Sequence, residues 1–182
     1  MTIFSSFTQD FLEENNLLEN KPNKMISIFG DAELDEGNVY EALLEGAKHN
    51  LKNCWWIIDY NRQSLDGIVF EKLFEKIINL FELMDWNVEI LKYGSKLQKL
   101  KQSNSGRKIL KWIDDCPNDL FSALTYQGGK DWRKTLLEVF SNDQDIINLI
   151  QSFNDEELNG LMTNLAGHDL ESLEIGFSKY LN

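Results

Sequence analysis

The chain has 182 residues, 42% of them apolar and 12% aromatic, which suits one globular domain with a real core and argues against two full domains. Its formal net charge of −12 is spread along the chain, reads first as a solvated acidic surface, and makes nucleic acid and anionic lipid poor partners. No apolar run approaches the roughly 18 residues that a membrane span needs. The start, MTIFSSFTQD, lacks the basic-then-apolar pattern of a secretory signal. Cys54 and Cys116, the two cysteines, have no CxxC spacing and read as reduced thiols of a cytoplasmic protein.

In chain order, residues 6–18 read as a helix that Ser6 caps with Gln9 completing a capping box, and Phe7, Phe11, Leu12 and Leu18 give it an apolar face. A polar loop holding Pro22 follows. Met25 to Phe29 is a short apolar run ended by Gly30-Asp31, which fits a buried strand. Val39 to Asn50 is helical, with Val39, Leu43, Leu44 and Ala47 on one side. Cys54 to Ile58 is a second strand, ended by Asp59-Tyr60-Asn61. Residues 69–83 carry apolar side chains at three- and four-residue steps and read as a helix. Trp86 to Leu91 reads as a third strand ended by Gly94. Alternating helices and strands imply a parallel sheet with helices on its faces.

After Gly94 the chain turns mainly helical, with segments near 106–114, 131–140, 145–152, 155–162 and 170–181, and polar loops at 95–105 and 125–130. Asn154 and Glu157 form a capping box, with Phe153 able to staple to Leu158. Asp169 is placed to cap the last helix, whose stripe of Leu170, Leu173, Phe177 and Leu181 predicts its docking face. The loop before it, 163–168, reads as weakly packed and mobile, with His168 reachable by solvent. The expected fold class is therefore α/β: a short parallel sheet flanked by helices, with a mainly helical C-terminal part. Residues 1–94 form the α/β core, and 95–182 extend the same domain.

Chemistry concentrates at two strand ends. Asp31 and Asn61 each follow an apolar strand, and one helix and one returning strand lie between them. Parallel strands emerge at one edge of the sheet, so these residues are expected side by side where open α/β sheets bind ligands. A carboxylate, an amide oxygen and a backbone carbonyl are hard ligands that suit Mg²⁺ or Ca²⁺ and leave positions open for phosphate oxygens. A helix starting near Gly37-Asn38 can add its N–H groups to an anion. Such a metal would let an acidic protein hold a diphosphate. Either residue alone is more often an ordinary turn former. No GxGxxG or GxxxxGK[ST] is present, and zinc-ligand spacings are absent.

The run Gly30-Asp31-Ala32-Glu33-Leu34-Asp35-Glu36, followed by Asp59-Tyr60-Asn61-Arg62-Gln63-Ser64-Leu65-Asp66-Gly67, resembles the thiamin-diphosphate motif of the transketolase-like enzymes. Among them it resembles the homodimeric type of pyruvate dehydrogenase. Asp85-Trp86-Asn87-Val88, Gly167-His168-Asp169-Leu170 and the helix before the first strand resemble that family too. The likeness runs, with gaps around residues 95–150, over nearly the whole chain. It implies an incomplete thiamin-diphosphate-binding fold in which Asp31 and Asn61 are side-chain magnesium ligands and Gln63 gives a backbone carbonyl. It further implies that Gly30 lets the strand end turn tightly under the diphosphate, with Ala32 where the family usually has glycine. His168 matches a loop histidine that handles acyl transfer to lipoyl groups.

The resemblance implies oxidative decarboxylation of a 2-oxo acid, with thiamin diphosphate and Mg²⁺ as cofactors. The family's upstream segment and its pyrimidine-binding domain are not in this sequence. The expected partners are therefore a second chain carrying that domain, or self-association, and a lipoyl acyltransferase, and the chain alone is expected to be inactive. The rival readings are a non-catalytic remnant or interaction module that keeps the fold, and a split transketolase-like subunit.

Overall fold

Two apolar runs too short for helices become the strands of a parallel pair, β1 (Met25–Gly30) and β2 (Cys54–Asp59). The computed structural model describes residues 1–18, 23–60, 63–64, 67–68 and 73–180. The pairing has no offset: Met25 faces Cys54 and Gly30 faces Asp59. Before it stands α1 (Thr2–Glu14); between the strands lie a 3-10 turn (Asp31–Asp35) and α2 (Gly37–Lys48). After β2 come a two-residue antiparallel ribbon, β3 (Gln63–Ser64) with β4 (Gly67–Ile68), and α3 (Leu73–Leu83). These elements belong to the first of two compact units, Met1–Val88. The expected short parallel sheet flanked by helices is therefore present.

The core of this unit collects on one face of the sheet. Leu34, Leu43 and Phe81 are buried there, and Phe29, Trp56, Ile58, Ile77, Leu80, Trp86 and Val88 pack against them. Trp56 is the hub: its ring lies 5.0 Å from Trp86, 5.4 Å from Phe29 and 5.9 Å from Phe81, mostly edge to face. Side chains alternate between the two faces of a strand, so Ile26 and Ile28 point the other way, and they are 48% and 74% exposed.

Two expectations for this unit need correction. Helix α1 begins at Thr2, so Ser6 and Gln9 do not cap it. They are its buried face, with Ile3, while Phe11 is 60% exposed. Ser6 donates to Asn53 Oδ1, and Asn53 Nδ2 donates to Asp10 at 3.0 Å. Gln9 donates to the Asn23 carbonyl at 2.7 Å and accepts from the Asn23 N–H at 3.2 Å. A buried backbone segment needs hydrogen-bond partners, and α1 meets that need with polar side chains in place of an apolar stripe. Residues 86–91 form no strand. Asp85, at φ 62°, turns the chain out of α3, and Trp86 then docks against aromatic rings. A short apolar run satisfies a strand pattern whether it pairs or packs.

The second unit, Glu89–Asn182, is helical: α4 (Ser95–Leu100), α5 (Asn104–Asp115), α6 (Asn118–Gln127), α7 (Gly129–Val139), α8 (Gln144–Gln151), α9 (Asp155–Met162) and α10 (Leu170–Ser178), with a 3-10 turn at Ala166–His168. Its core holds Trp132, Leu97, Leu136 and Ile146, all fully buried, with Ile113, Ile150, Leu158 and Met162. Sequence-based reading assigns loops to α4 and to the end of α6. It assigns no helix to the rest of α6; α4 buries Leu97 and α6 buries Phe121 and Leu124 ahead of the stretch read as loop, and tertiary packing overrides a polar composition. Gly128, at φ 91°, separates α6 from α7 in a conformation that favours glycine. The expected capping box is present, with Asn154 and Glu157 exchanging bonds of 2.8 Å. Arg133 ties α7 to the turn between α8 and α9, donating to the Ile150 carbonyl, the Phe153 carbonyl and Asp155 at 2.7–2.8 Å.

The last helix docks differently from the expected stripe. Leu170 is 84% exposed, while Ser172 and Gly176 are the buried positions, with Leu173 and Phe177 half-buried. A Cβ on Gly176 would meet the Leu91 side chain at 2.6 Å, so small residues let α10 sit directly on Leu91. No described helix is long and apolar enough to cross a membrane. Both cysteines are buried and neither is in a disulfide, and burial pushes the Cys54 thiol up.

Two glycines test this packing. A Cβ on Gly129 would overlap the Asp155 backbone carbonyl, whereas one on Gly160 lies 3.8 Å from the flexible end of Lys96. Gly129→Ala is expected to destabilise the chain by about 1–3 kcal/mol. Gly160→Ala is expected to be neutral or stabilising by up to about 1 kcal/mol. Urea midpoints of the two variants check this; equal effects would show that α7 and α9 are not in close contact.

Candidate functional site

The level ends of β1 and β2 place the first residues beyond them, Asp31 and Tyr60, at the same edge of the sheet. Asp31 opens the 3-10 turn and is only 7% exposed. Leu34, 5% exposed and part of the apolar core, fixes the turn from beneath. The β3 backbone, which starts at Gln63, runs beside this turn. Strand pairing and one buried leucine thus bring a buried carboxylate and the Gln63 backbone to one place. Asn61 lies outside the described residues.

Gly30 and Ala32 flank Asp31. Gly30 has φ −77° and ψ 166°, an extended conformation open to any residue. The expected tight turn is therefore not what calls for glycine. What the missing Cβ allows is close approach: the Glu33 carboxylate lies 2.9 Å from where a Cβ would stand. Ala32 is half-buried within the turn. Helix α2 begins at Gly37, as expected, with no acidic residue in its first turn.

This donor chemistry fits a hard divalent cation. Among the described residues no three His, Cys, Asp or Glu side chains gather to hold a metal, so a cation here would use one carboxylate plus amide and backbone oxygens. That composition suits Mg²⁺, which keeps part of its shell for phosphate oxygens and water. It disfavours zinc, which takes nitrogen and sulfur ligands.

His168 stands in the second unit, at the end of the Ala166–His168 turn, and its side chain is exposed as expected. The segment before it is better packed than sequence reading expects. Ala166 is 1% exposed, Leu165 forms an antiparallel bridge with Tyr93, and the Ala166 N–H donates to the Lys92 carbonyl at 3.2 Å. Asp169 caps α10 by accepting from the Ser172 N–H at 2.9 Å, as expected. It also accepts from Ser95 Oγ at 2.8 Å and Asn164 Nδ2 at 3.1 Å. Ser95, 74 residues from Asp169, and Asn164, five residues before it in a loop, both escape sequence reading, because neither pair leaves a periodic signal. These donors, the Asn164 amide foremost, hold the Asp169 carboxyl below the usual carboxylate range.

No protein-family profile matches the chain. Over 171 residues, 93% of its length, it is 25% identical to the pyruvate dehydrogenase E1 component of Buchnera aphidicola subsp. Baizongia pistaciae (strain Bp). It is 24% identical to that of Escherichia coli (strain K12) over the same length. Over 174 residues it is 26% identical to that of Haemophilus influenzae. Each match takes in 19% of the relative, so the chain spans about a fifth of the length of the curated relatives it matches. The similarity covers nearly the whole chain and agrees with the resemblance carried by the Gly30–Glu36, Asp59–Gly67 and Gly167–Leu170 motifs.

The lowered Asp169 value carries a pH dependence with a definite sign. A carboxylate whose folded value is depressed contributes fully above its unfolded value of about 3.9 and loses that contribution as pH falls through the folded value. Protection of the α10 amides is therefore expected to hold down to about pH 4 and to fall in stronger acid. In Asp169→Asn this acid-dependent loss should be much reduced. Amide exchange followed against pH checks both statements.

Proposed function

We propose that this chain is the part of a thiamin-diphosphate-dependent 2-oxo acid dehydrogenase, most like pyruvate dehydrogenase, that holds Mg²⁺ and the cofactor diphosphate. The observation that supports this most is a buried Asp31 at the level ends of two parallel strands, beside the backbone of Gln63, in a chain similar to pyruvate dehydrogenase E1 components along 93% of its length. In this reading Asp31 and Asn61 ligate the metal with their side chains and Gln63 with its backbone carbonyl. Gly30 and Ala32 lie under the diphosphate.

The electrostatics follow from that assignment. A chain of net charge −12 repels a diphosphate, and a divalent cation reverses the sign of the local field. Burial of Asp31 keeps its carboxylate away from competing water, which strengthens its hold on the cation. The N–H groups opening α2 can add attraction for an anion at this edge. When bound, the cofactor supplies an electron sink for decarboxylation of the 2-oxo acid. The exposed imidazole of His168 can exchange a proton with an acyl-accepting lipoyl group on an acyltransferase.

The activity is that of an assembly in which this chain meets further protein carrying the pyrimidine-binding domain. The bare Ile26 and Ile28 support this, since parallel sheets are normally covered on both faces. A second reading, a non-catalytic module that keeps the fold, is favoured by one detail. The Glu33 carboxylate lies against Gly30, where a diphosphate would approach.

Calorimetric titration with thiamin diphosphate, with and without Mg²⁺, separates the two readings. Binding that requires Mg²⁺ is expected. Asp31→Ala should abolish it and Asn61→Ala should weaken it by about tenfold or more, the scale at which even outer-shell changes act. Both variants should keep the wild-type unfolding free energy to within about 1 kcal/mol. Absence of binding in the wild-type chain, or unchanged affinity in both variants, overturns the cofactor assignment. With cofactor and metal saturating, the chain by itself should show no 2-oxo acid decarboxylation.

A further inference from the structure

We infer that the basic face of α4 and the start of α5 docks a short acidic segment of a partner protein, with one apolar side chain of that segment seated against Ile175. This goes beyond the cofactor reading and stands without it, because every residue involved lies in the helical unit.

Residues 92–113 hold seven of the eighteen Lys and Arg residues and none of the thirty Asp and Glu residues. The remainder of the chain has eleven basic side chains against thirty acidic ones. Three of the seven are neutralised by acids from outside the stretch: Lys92 pairs with Asp114, Lys108 with Asp143 and Lys111 with Asp115. The other four, Lys96, Lys99, Lys101 and Arg107, are exposed and make no ion pair with a described residue.

These four cations sit on one connected piece of backbone. Lys96 and Lys99 are three residues apart on α4 and are neighbours on its surface. Lys101 is the C-cap of α4. A Cβ on Gly106 would overlap the Leu100 carbonyl, so α5 starts directly against the end of α4 and brings Arg107 to it. Ser103 caps α5, whose first turn has no acid, and the positive end of that helix dipole adds to the same field. Like charges held close together repel, and carboxylates of a partner relieve that repulsion on docking.

Two features select a protein segment over other polyanions. The patch is short: the six residues of α4 span about 9 Å, close to the Debye length of roughly 8 Å at physiological salt. A nucleic-acid strand or an anionic bilayer extends well past that length, onto a chain that is acidic elsewhere and repels it. A brief run of carboxylates does not. The second feature is an open cleft between α4 and α10, lined by Lys99 and Gln102 on one side and by Ile175, 56% exposed, on the other. A peptide carries acidic and apolar side chains at adjacent positions and can engage both, whereas a phosphate chain has no apolar group to offer Ile175. Glu171 lines the same cleft, so the partner's carboxylates belong on the lysine side and its apolar side chain on the α10 side.

The test uses the full chain and a synthetic peptide of about eight residues, glutamates around one leucine, which when extended is long enough to follow α4 onto α5. On titration, amide resonances are expected to shift at residues 95–108 and around Ile175, with those of the first unit unmoved, and affinity should fall as salt is raised. Lys99→Glu combined with Arg107→Glu should weaken binding by about tenfold or more. Lys130→Glu combined with Lys134→Glu, two exposed lysines of α7 and the same change in net charge, should leave it unchanged. Ile175→Ser should remove the advantage of the leucine peptide over an all-glutamate one while keeping the salt dependence. An unaltered thermal midpoint shows that each variant folds.

Absence of shifts at residues 95–108, or equal weakening by the two charge-reversal pairs, overturns the proposal. So does tighter binding of a single-stranded oligonucleotide or of phosphatidylserine vesicles than of the peptide. Sedimentation closes the remaining route: a wild-type chain that dimerises, with a Lys99→Glu, Arg107→Glu chain that does not, would make a second copy the occupant and overturn the acidic partner.

Discussion

The pairing of β1 with β2 is the constraint on which the candidate site depends. Because the strands run parallel without offset, both chains leave the sheet at the same level. A slip of one residue by β2 would turn its side chains to the other face and move Trp56 and Ile58 out of the core. The rings stacked around Trp56 therefore fix the register, and the register fixes where Asp31 emerges. Leu34 carries the same constraint past the end of the strand, since its burial sets the position of the 3-10 turn that Asp31 opens.

The helical unit is organised by another principle. Its core is closed around Trp132, against which Trp112 and Phe121 stand edge on at 6.2 and 5.5 Å. Close helix approaches are allowed by glycines, as where Gly129 meets the Asp155 backbone and Gly176 meets Leu91. Polar clamps then fix what the apolar contacts leave free. Arg133 holds the turn between α8 and α9 with three donors, and Asp169 holds the start of α10 with three acceptances. Charge-assisted bonds of this kind are stronger than neutral ones and sensitive to geometry, so they specify position as well as adding stability.

The two proposed functional parts differ in how their chemistry is prepared. The strand-end site buries a carboxylate, which suits a group meant to meet a cation and not water. The His168 turn does the opposite: it exposes the imidazole, on a turn anchored by the buried Ala166. An exposed imidazole can exchange protons with a visiting group.

What the sequence determined by itself is local. The strand limits at Gly30 and Asp59, helices α2, α7, α8 and α9, the capping box at Asn154 and the Asp169 cap all follow from periodicity and from pairs within four residues. So does the motif that suggests the metal, because its residues lie where strands must end. Tertiary structure decided the rest. It buried Ser6 and Gln9 in place of Phe11, because their partners Asn53 and Asn23 lie 47 and 14 residues away. It left Trp86–Leu91 unpaired and made helices of α4 and α6, where the buried Leu97, and Phe121 with Leu124, outweigh polar neighbours. It joined Ser95 to Asp169 across 74 residues. Hydrogen bonds and packing between segments distant in the chain leave no periodic trace in either segment, and only the folded backbone brings their partners within reach.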